Sequence, residues 1–95
     1  MEGIGYRVVP LPEAEEDILA YKKAGKKIAL KRIKQIFYEL EVHPETGIGK
    51  PEKLKHNYSG YWSREVDQKN RIIYKIHETE AVVRVFRTMY HYDDK

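Results

Sequence analysis

Eight polar side chains in the second half of the chain could do chemistry together: Lys50, Glu52, Lys55, His56, Arg64, Arg71, His91 and Tyr92. Glutamate and histidine can take and give protons, and the rest of the set is mainly cationic. These groups would suit metal-free cleavage of RNA. There a 2′-hydroxyl attacks its own 3′-phosphate, a base takes the 2′ proton, and an acid protonates the leaving 5′-oxygen. Acid and base are each worth roughly 10²–10⁴-fold. Arginine and lysine would stabilise the crowded, more negative phosphorane. Which of Glu52 and His91 is base and which is acid depends on packing. Each residue also has a plainer reading. Glu52 among Lys50, Lys53 and Lys55 reads as a solvated loop carboxylate. Arg71 reads as a surface cation at a strand start, and His91-Tyr92 as a frayed end.

Other chemistries find less support. There are no cysteines, which excludes disulfides, thiolate metal sites and thiol nucleophiles. The four histidines (His43, His56, His77, His91) lack paired ligand spacing, so no metal is expected. Gly47-Ile48-Gly49-Lys50 is too short for a nucleotide-cradling loop and does not join a strand to a helix. No nucleophile elbow occurs, and no cofactor is implied.

These residues must be positioned by one small fold. Ninety-five residues make one domain, 1–95, able to bury roughly 60–65% of its unfolded surface. With 41% hydrophobic and 35% charged residues, the chain is neither disordered nor membrane-embedded. No basic segment followed by an apolar one opens the sequence, so no secretory leader is expected and the cytoplasm is the default compartment. Net charge is +3, distributed unevenly: −4 over residues 1–20, +6 over 21–60 and +1 over 61–95. A basic middle third fits a polyanion or an acidic protein partner, or else a solvated lysine face.

Gly5–Val9 reads as a first strand, stopped by Pro10 and Pro12. Glu13–Ala24 reads as a helix with acidic residues at its positive end, stopped at Gly25. Lys26–Val42 reads as a second helix, with Leu30, Ile33, Phe37 and Leu40 as its apolar stripe. His43–Ser59 has no period and reads as a long loop of the kind that is often functional. Tyr61–Val66, Arg71–His77 and Ala81–Met89 read as an antiparallel meander with turns at 67–70 and 78–80. Ideal alternation puts Ser63 and Glu65 on one face. It sets Arg71, Ile73 and Lys75 against Ile72, Tyr74 and Ile76. The expected fold is α+β, β-α-α-β-β-β, an antiparallel twisted sheet covered by a helical hairpin.

Several ordered segments resemble a known family. They are His43 to Asn57 with Gly49-Lys50-Pro51-Glu52 and Leu54-Lys55-His56, then Ser59-Gly60-Tyr61-Trp62-Ser63-Arg64, then Asn70-Arg71-Ile72-Ile73-Tyr74, then His91-Tyr92. Together they resemble the YoeB/Txe branch of the RelE/ParE toxin superfamily, most strongly over residues 43–92. The resemblance implies a RelE/ParE-like domain and a bacterial type II toxin that cuts mRNA in the A site of the 70S ribosome without a metal. It implies a YefM/Phd-type antitoxin as partner, operator DNA reached only through that complex, and no membrane, and it allows a homodimer. Carried over, Glu52 is the base, His91 the acid, and Arg71 stabilises the phosphorane. Lys55 contacts the scissile phosphate or neutralises transition-state charge. Tyr92 positions substrate or the C-terminal site, Arg64, Lys50, His56 and Glu65 join the substrate-binding set, and Trp62 anchors the sheet rather than stacking on a base.

One position departs from the pattern. After Trp-Ser-Arg the family usually has a second, phosphate-contacting arginine, and this chain has Glu65. Arg64 could substitute, or Glu65 could pair with Arg71 or Lys69 until substrate arrives. Two other functions remain open: a non-catalytic, degenerate toxin homologue that binds ribosome, RNA or antitoxin, and a ParE-like inhibitor of DNA gyrase.

Overall fold

A computed structural model describes residues 5–91. The order is β1 (Arg7–Pro10), α1 (Pro12–Lys23), α2 (Lys27–Leu40), β2 (Glu52–Lys53), a 3-10 turn (His56–Tyr58), β3 (Trp62–Glu65), β4 (Arg71–His77) and β5 (Val82–Tyr90). The strands form one sheet in the order β1-β5-β4-β3-β2. The α+β class and the helical hairpin are as the sequence leads one to expect. The sheet, however, is mixed rather than wholly antiparallel: β1 runs parallel to β5, from Arg7 opposite Val82 to Pro10 opposite Val85. The helical hairpin carries the chain away after β1, so the first strand meets the last, and no local pattern encodes that pairing.

Pro12 opens α1 at a position where its missing N–H costs nothing. Glu13 and Glu15 sit at the positive end of the helix, and Lys22 and Lys23 at the negative end. Gly25 has φ +69, a left-handed turn that suits glycine, and the Lys26 N–H closes back on the Tyr21 carbonyl. In α2 the buried residues are Ala29, Ile33, Ile36 and Leu40, spaced for one helical face. Below the helices lie Ile72, Tyr74, Val83 and Val85, all fully buried. Trp62 stacks on Tyr74 on this same side, with ring centroids 6.4 Å apart, and so packs against the core. Truncating Ile36, Leu40 or Ile72 to alanine would cost about 2–5 kcal/mol.

Two details of the sheet place the polar residues. The stretch from His43 to Ser59, expected as a loop, contains β2 and the 3-10 turn. Two residues of strand are too few to show a period, and the pairing of Glu52 with Ser63 and Lys53 with Trp62 supplies what the sequence lacks. Nine-residue β5 also lies against seven-residue β4, with register shifts between Arg71 and Ile73 and between Ile73 and Tyr74. The extra residues bulge out of β5 just before its end.

Candidate active site

Strand pairing brings the chemistry to one end of the sheet, on the face away from the helices. Glu52 lies opposite Ser63, Glu65 opposite Arg71, and Arg71 opposite Tyr90. Paired residues share a face. Arg71 is the hub. Its Nη1 donates to Ser63 Oγ at 3.2 Å. The same nitrogen lies 3.9 Å from Glu52 Oε1, and Nη2 lies 3.8 Å from Glu65 Oε2. Both carboxylate contacts are longer than hydrogen bonds, so they are loose charge pairs that an incoming anion could replace. The Arg71 side chain is 23% exposed and that of Glu52 61%. The cation is partly shielded while the carboxylate projects into solvent.

His91 follows the last residue of β5. Its Nδ1 is 3.1 Å from the Lys69 carbonyl. A carbonyl oxygen only accepts, so Nδ1 carries the proton and Nε2 is the nitrogen left to exchange one. The Lys69 carbonyl belongs to a turn that Asp67 organises, its Oδ1 accepting from the backbone N–H groups of Lys69 at 2.8 Å and Asn70 at 2.7 Å. Lys50, Lys55 and His56 are exposed around β2. Lys50 (φ 51) and His56 (φ 60) hold left-handed conformations that side chains seldom adopt, which marks both flanks of Glu52 as constrained backbone. Tyr92 lies outside the described residues.

Arg64 does not belong to the substrate-binding set in which the sequence reading placed it. It is fully buried. Its Nη1 pairs with Glu39 Oε1 at 2.7 Å, and its Nη2 donates to the carbonyls of His43 at 2.9 Å and Thr46 at 2.7 Å. Its Nε reaches the Tyr74 hydroxyl at 3.3 Å, and that hydroxyl donates to the Pro44 carbonyl. Arg64 therefore ties the loop after α2 to the sheet. Burial pushes the Glu39 carboxyl up, but the Ile48 N–H and Arg64 outweigh it and hold the group below the ordinary range. Gly49 belongs to the same structure: at φ +82 a Cβ would stand 2.9 Å from the Glu65 carbonyl oxygen, so only glycine lets the chain press against β3 and enter β2.

The sequence reading missed the aromatic floor beside Arg71. The Tyr58 and Tyr90 hydroxyls are 2.8 Å apart. Tyr61 meets Phe86 edge to face at 5.1 Å, and the Lys75 ammonium lies 4.8 Å from the Tyr61 ring centroid. Asn57, Tyr58, Tyr61, Ile73, Phe86, Arg87 and Tyr90 enclose a shallow cavity of about 280 Å³. Eight tyrosines among eleven aromatics were the available signal, but only the fold brings Tyr58, Tyr61 and Tyr90 to one cavity. Among the described residues no cluster of three or more His, Asp or Glu could hold a metal ion, and no helix is long and apolar enough to cross a membrane.

A small mixed sheet with two helices behind it is also the fold of YoeB-type toxins. The family model for the YoeB-like toxin of bacterial type II toxin-antitoxin systems matches residues 11–92. Toxin YoeB of Mycobacterium bovis is 41% identical over 81 residues, covering 85% of this chain and 92% of the relative. Toxin YoeB of Escherichia coli K12 is 35% identical over 80 residues, covering 84% and 92%. In the heterotetrameric YoeB-YefM toxin-antitoxin complex of Staphylococcus aureus, the similar chain superposes with a TM-score of 0.77 at 31% identity, over 92% of this chain and 98% of that one. The YoeB dimer of the same organism gives 0.78, with the same identity and coverage. The chain belongs to the YoeB-like family of type II toxins.

Proposed function

We propose that this toxin is a metal-independent endoribonuclease that cuts mRNA in the ribosomal A site. The observation that carries the reading is Arg71, set between the Glu52 and Glu65 carboxylates at the end of the sheet where β5 gives way to His91. Glu52 takes the proton from the 2′-hydroxyl, whose oxygen then bonds to the neighbouring phosphorus. The bond from phosphorus to the 5′-oxygen breaks, and His91 Nε2 gives that oxygen a proton. The products are a 2′,3′-cyclic phosphate and a 5′-hydroxyl. Arg71 and Lys55 stabilise the phosphorane in the meantime. Lys50 and His56 border the path of the strand, and Tyr58, Tyr61 and Phe86 offer ring surfaces to its bases. Residues 1–95 act as one domain, in the cytoplasm, where the ribosomes are.

The partner that restrains it is an antitoxin of the YefM/Phd type, through which operator DNA is reached. A partly disordered acidic segment that folds over Lys50, Lys55 and Arg71 would use the charges that bind RNA phosphates. As with the Staphylococcus aureus YoeB, a dimer of this chain is part of the proposal.

Primer extension on programmed ribosomes tests the chemistry. The wild type should produce cuts in the A site, and Glu52→Ala and His91→Gln should each lower the rate at least about tenfold with melting unchanged. Wild-type rates in both variants would remove the pair from the mechanism.

A further inference from the structure

The described end of β5 is held by a clamp that the catalytic reading does not use. β1 stops pairing at Val85, where the Leu11 N–H makes the last bond, and α1 begins at Pro12. From there on, among the described residues, the outer edge of β5 has no strand beside it. The buried face of α1 takes over that edge. Asp17 Oδ2 accepts from the backbone N–H groups of Thr88 at 2.9 Å and Met89 at 3.1 Å. Both Asp17 oxygens also accept from Arg87, Oδ2 from Nε at 2.8 Å and Oδ1 from Nη2 at 3.0 Å. The Tyr21 hydroxyl donates to the Thr88 carbonyl at 2.8 Å, and Thr88 Oγ1 donates to the Ala14 carbonyl at 3.2 Å. Ala14, Asp17 and Tyr21 are the buried residues of α1, and each holds Thr88.

This grip falls on the bulge. Arg87 lies opposite Ile73 and Tyr90 opposite Arg71, so a three-residue step along β5 is squeezed against a two-residue step along β4, with Thr88 and Met89 between. A bulge re-aims the residues after it, and those are Tyr90, beside Arg71, and His91. We propose that Asp17, with Tyr21, is a positioning residue: by fixing the β5 bulge it sets where His91 leaves the end of the sheet that carries Arg71. The proposal rests on the nuclease reading for its kinetic arm alone.

Two isosteric variants test it, Asp17→Asn and Tyr21→Phe, each made with His91 intact and in the His91→Gln background. With His91 intact, Asp17→Asn should lower kcat about tenfold and Tyr21→Phe about threefold, with KM within about twofold, since sub-ångström misplacement of a reacting group acts on the chemical step. In the His91→Gln background neither should cost anything further. A structural readout stands apart from activity: in the folded protein, Asp17→Asn should shift the NMR ring signals of His91. If the wild type cuts no RNA, the nuclease reading fails while the ring shifts still decide the positioning role. Equal losses in both backgrounds, unchanged His91 signals, or global unfolding of both variants would each overturn the proposal in favour of a purely structural clamp.

Discussion

Two carboxylates face one guanidinium at the centre of the site. Arg71 has Glu52 at 3.9 Å on one side and Glu65 at 3.8 Å on the other. For a proton-taking Glu52 that neighbour is useful. For the phosphate of the proposed reaction Glu65 would be costly, because it would add a negative charge beside the Arg71 that is proposed to hold the phosphorane. At an effective dielectric near 20, like charges about 4 Å apart repel by about 4 kcal/mol, and at exposed sites solvent and salt reduce such terms to about 1 kcal/mol. The Glu65 side chain is 36% exposed, so the smaller figure applies. Glu65→Gln is expected to raise kcat/KM for mRNA cleavage about fivefold at low salt, with the gain fading as salt is raised. Rates on programmed ribosomes at two salt concentrations check this. A loss of activity would show that the carboxylate helps hold Arg71 in place instead. Glu65 was legible as an oddity in the sequence, and of the two partners considered for it, the register selects Arg71, its cross-strand neighbour.

At the scale of elements, alternation along β3 already separated Ser63 and Glu65 from Arg64, but an arginine next to a tryptophan and a serine still reads as a phosphate ligand. What the sequence does not carry is the position of Glu39 and of three loop carbonyls, all distant in the chain, which turn that cation inward. The prediction changes accordingly. Arg64→Met leaves the Glu39 carboxylate without its ion-pair partner and the 43–49 loop without its tie, and should destabilise the fold by roughly 3–5 kcal/mol. Urea unfolding measures it, and a loss under about 1 kcal/mol would return Arg64 to a surface role. The same contrast explains what else was readable. The helices, with 3.6-residue stripes and a glycine between them, and β4, with β-branched alternation, are local patterns. The parallel pairing of β1, the two-residue β2 and the bulges of β5 depend on contacts between remote segments. Glu52, Arg71 and His91 stand as a proposal that type, order and the family resemblance suggest, whereas nothing local in the sequence suggests the clamp on Thr88. Asp17 looked like one more acid near a helix start.

At the scale of the whole molecule, Asp17, Glu39 and Asp67 act as rivets among the described residues. Asp17 joins α1 to β5, Glu39 joins α2 to the loop that leads into β2, and Asp67 closes the turn under His91. Burial pushes each of them up, and hydrogen bonds from Arg87, Thr88 and Met89, from Ile48 and Arg64, and from Asn70 and Lys69 outweigh it, so all three sit below the ordinary range. A carboxyl lowered by folding binds fewer protons in the native state than in the unfolded one. Its stabilisation is complete above the unfolded value, 3.8 for aspartate and 4.5 for glutamate, and is lost as pH falls through the folded value. Burial raises the Tyr21 and Tyr74 phenols above their ordinary 10.0, so their contribution is complete below that value and declines above it. The melting temperature should therefore be level between about pH 5 and about pH 9, then fall on both sides. Asp17→Asn identifies one rivet within that curve. It should lower the melting temperature at neutral pH, and the gap to wild type should narrow as pH falls below the unfolded value of 3.8 and on through the lower native value of Asp17. Calorimetry across the pH range checks both. A gap that stays constant into acid would mean that the charge of Asp17, as distinct from its shape, does not hold α1 to β5.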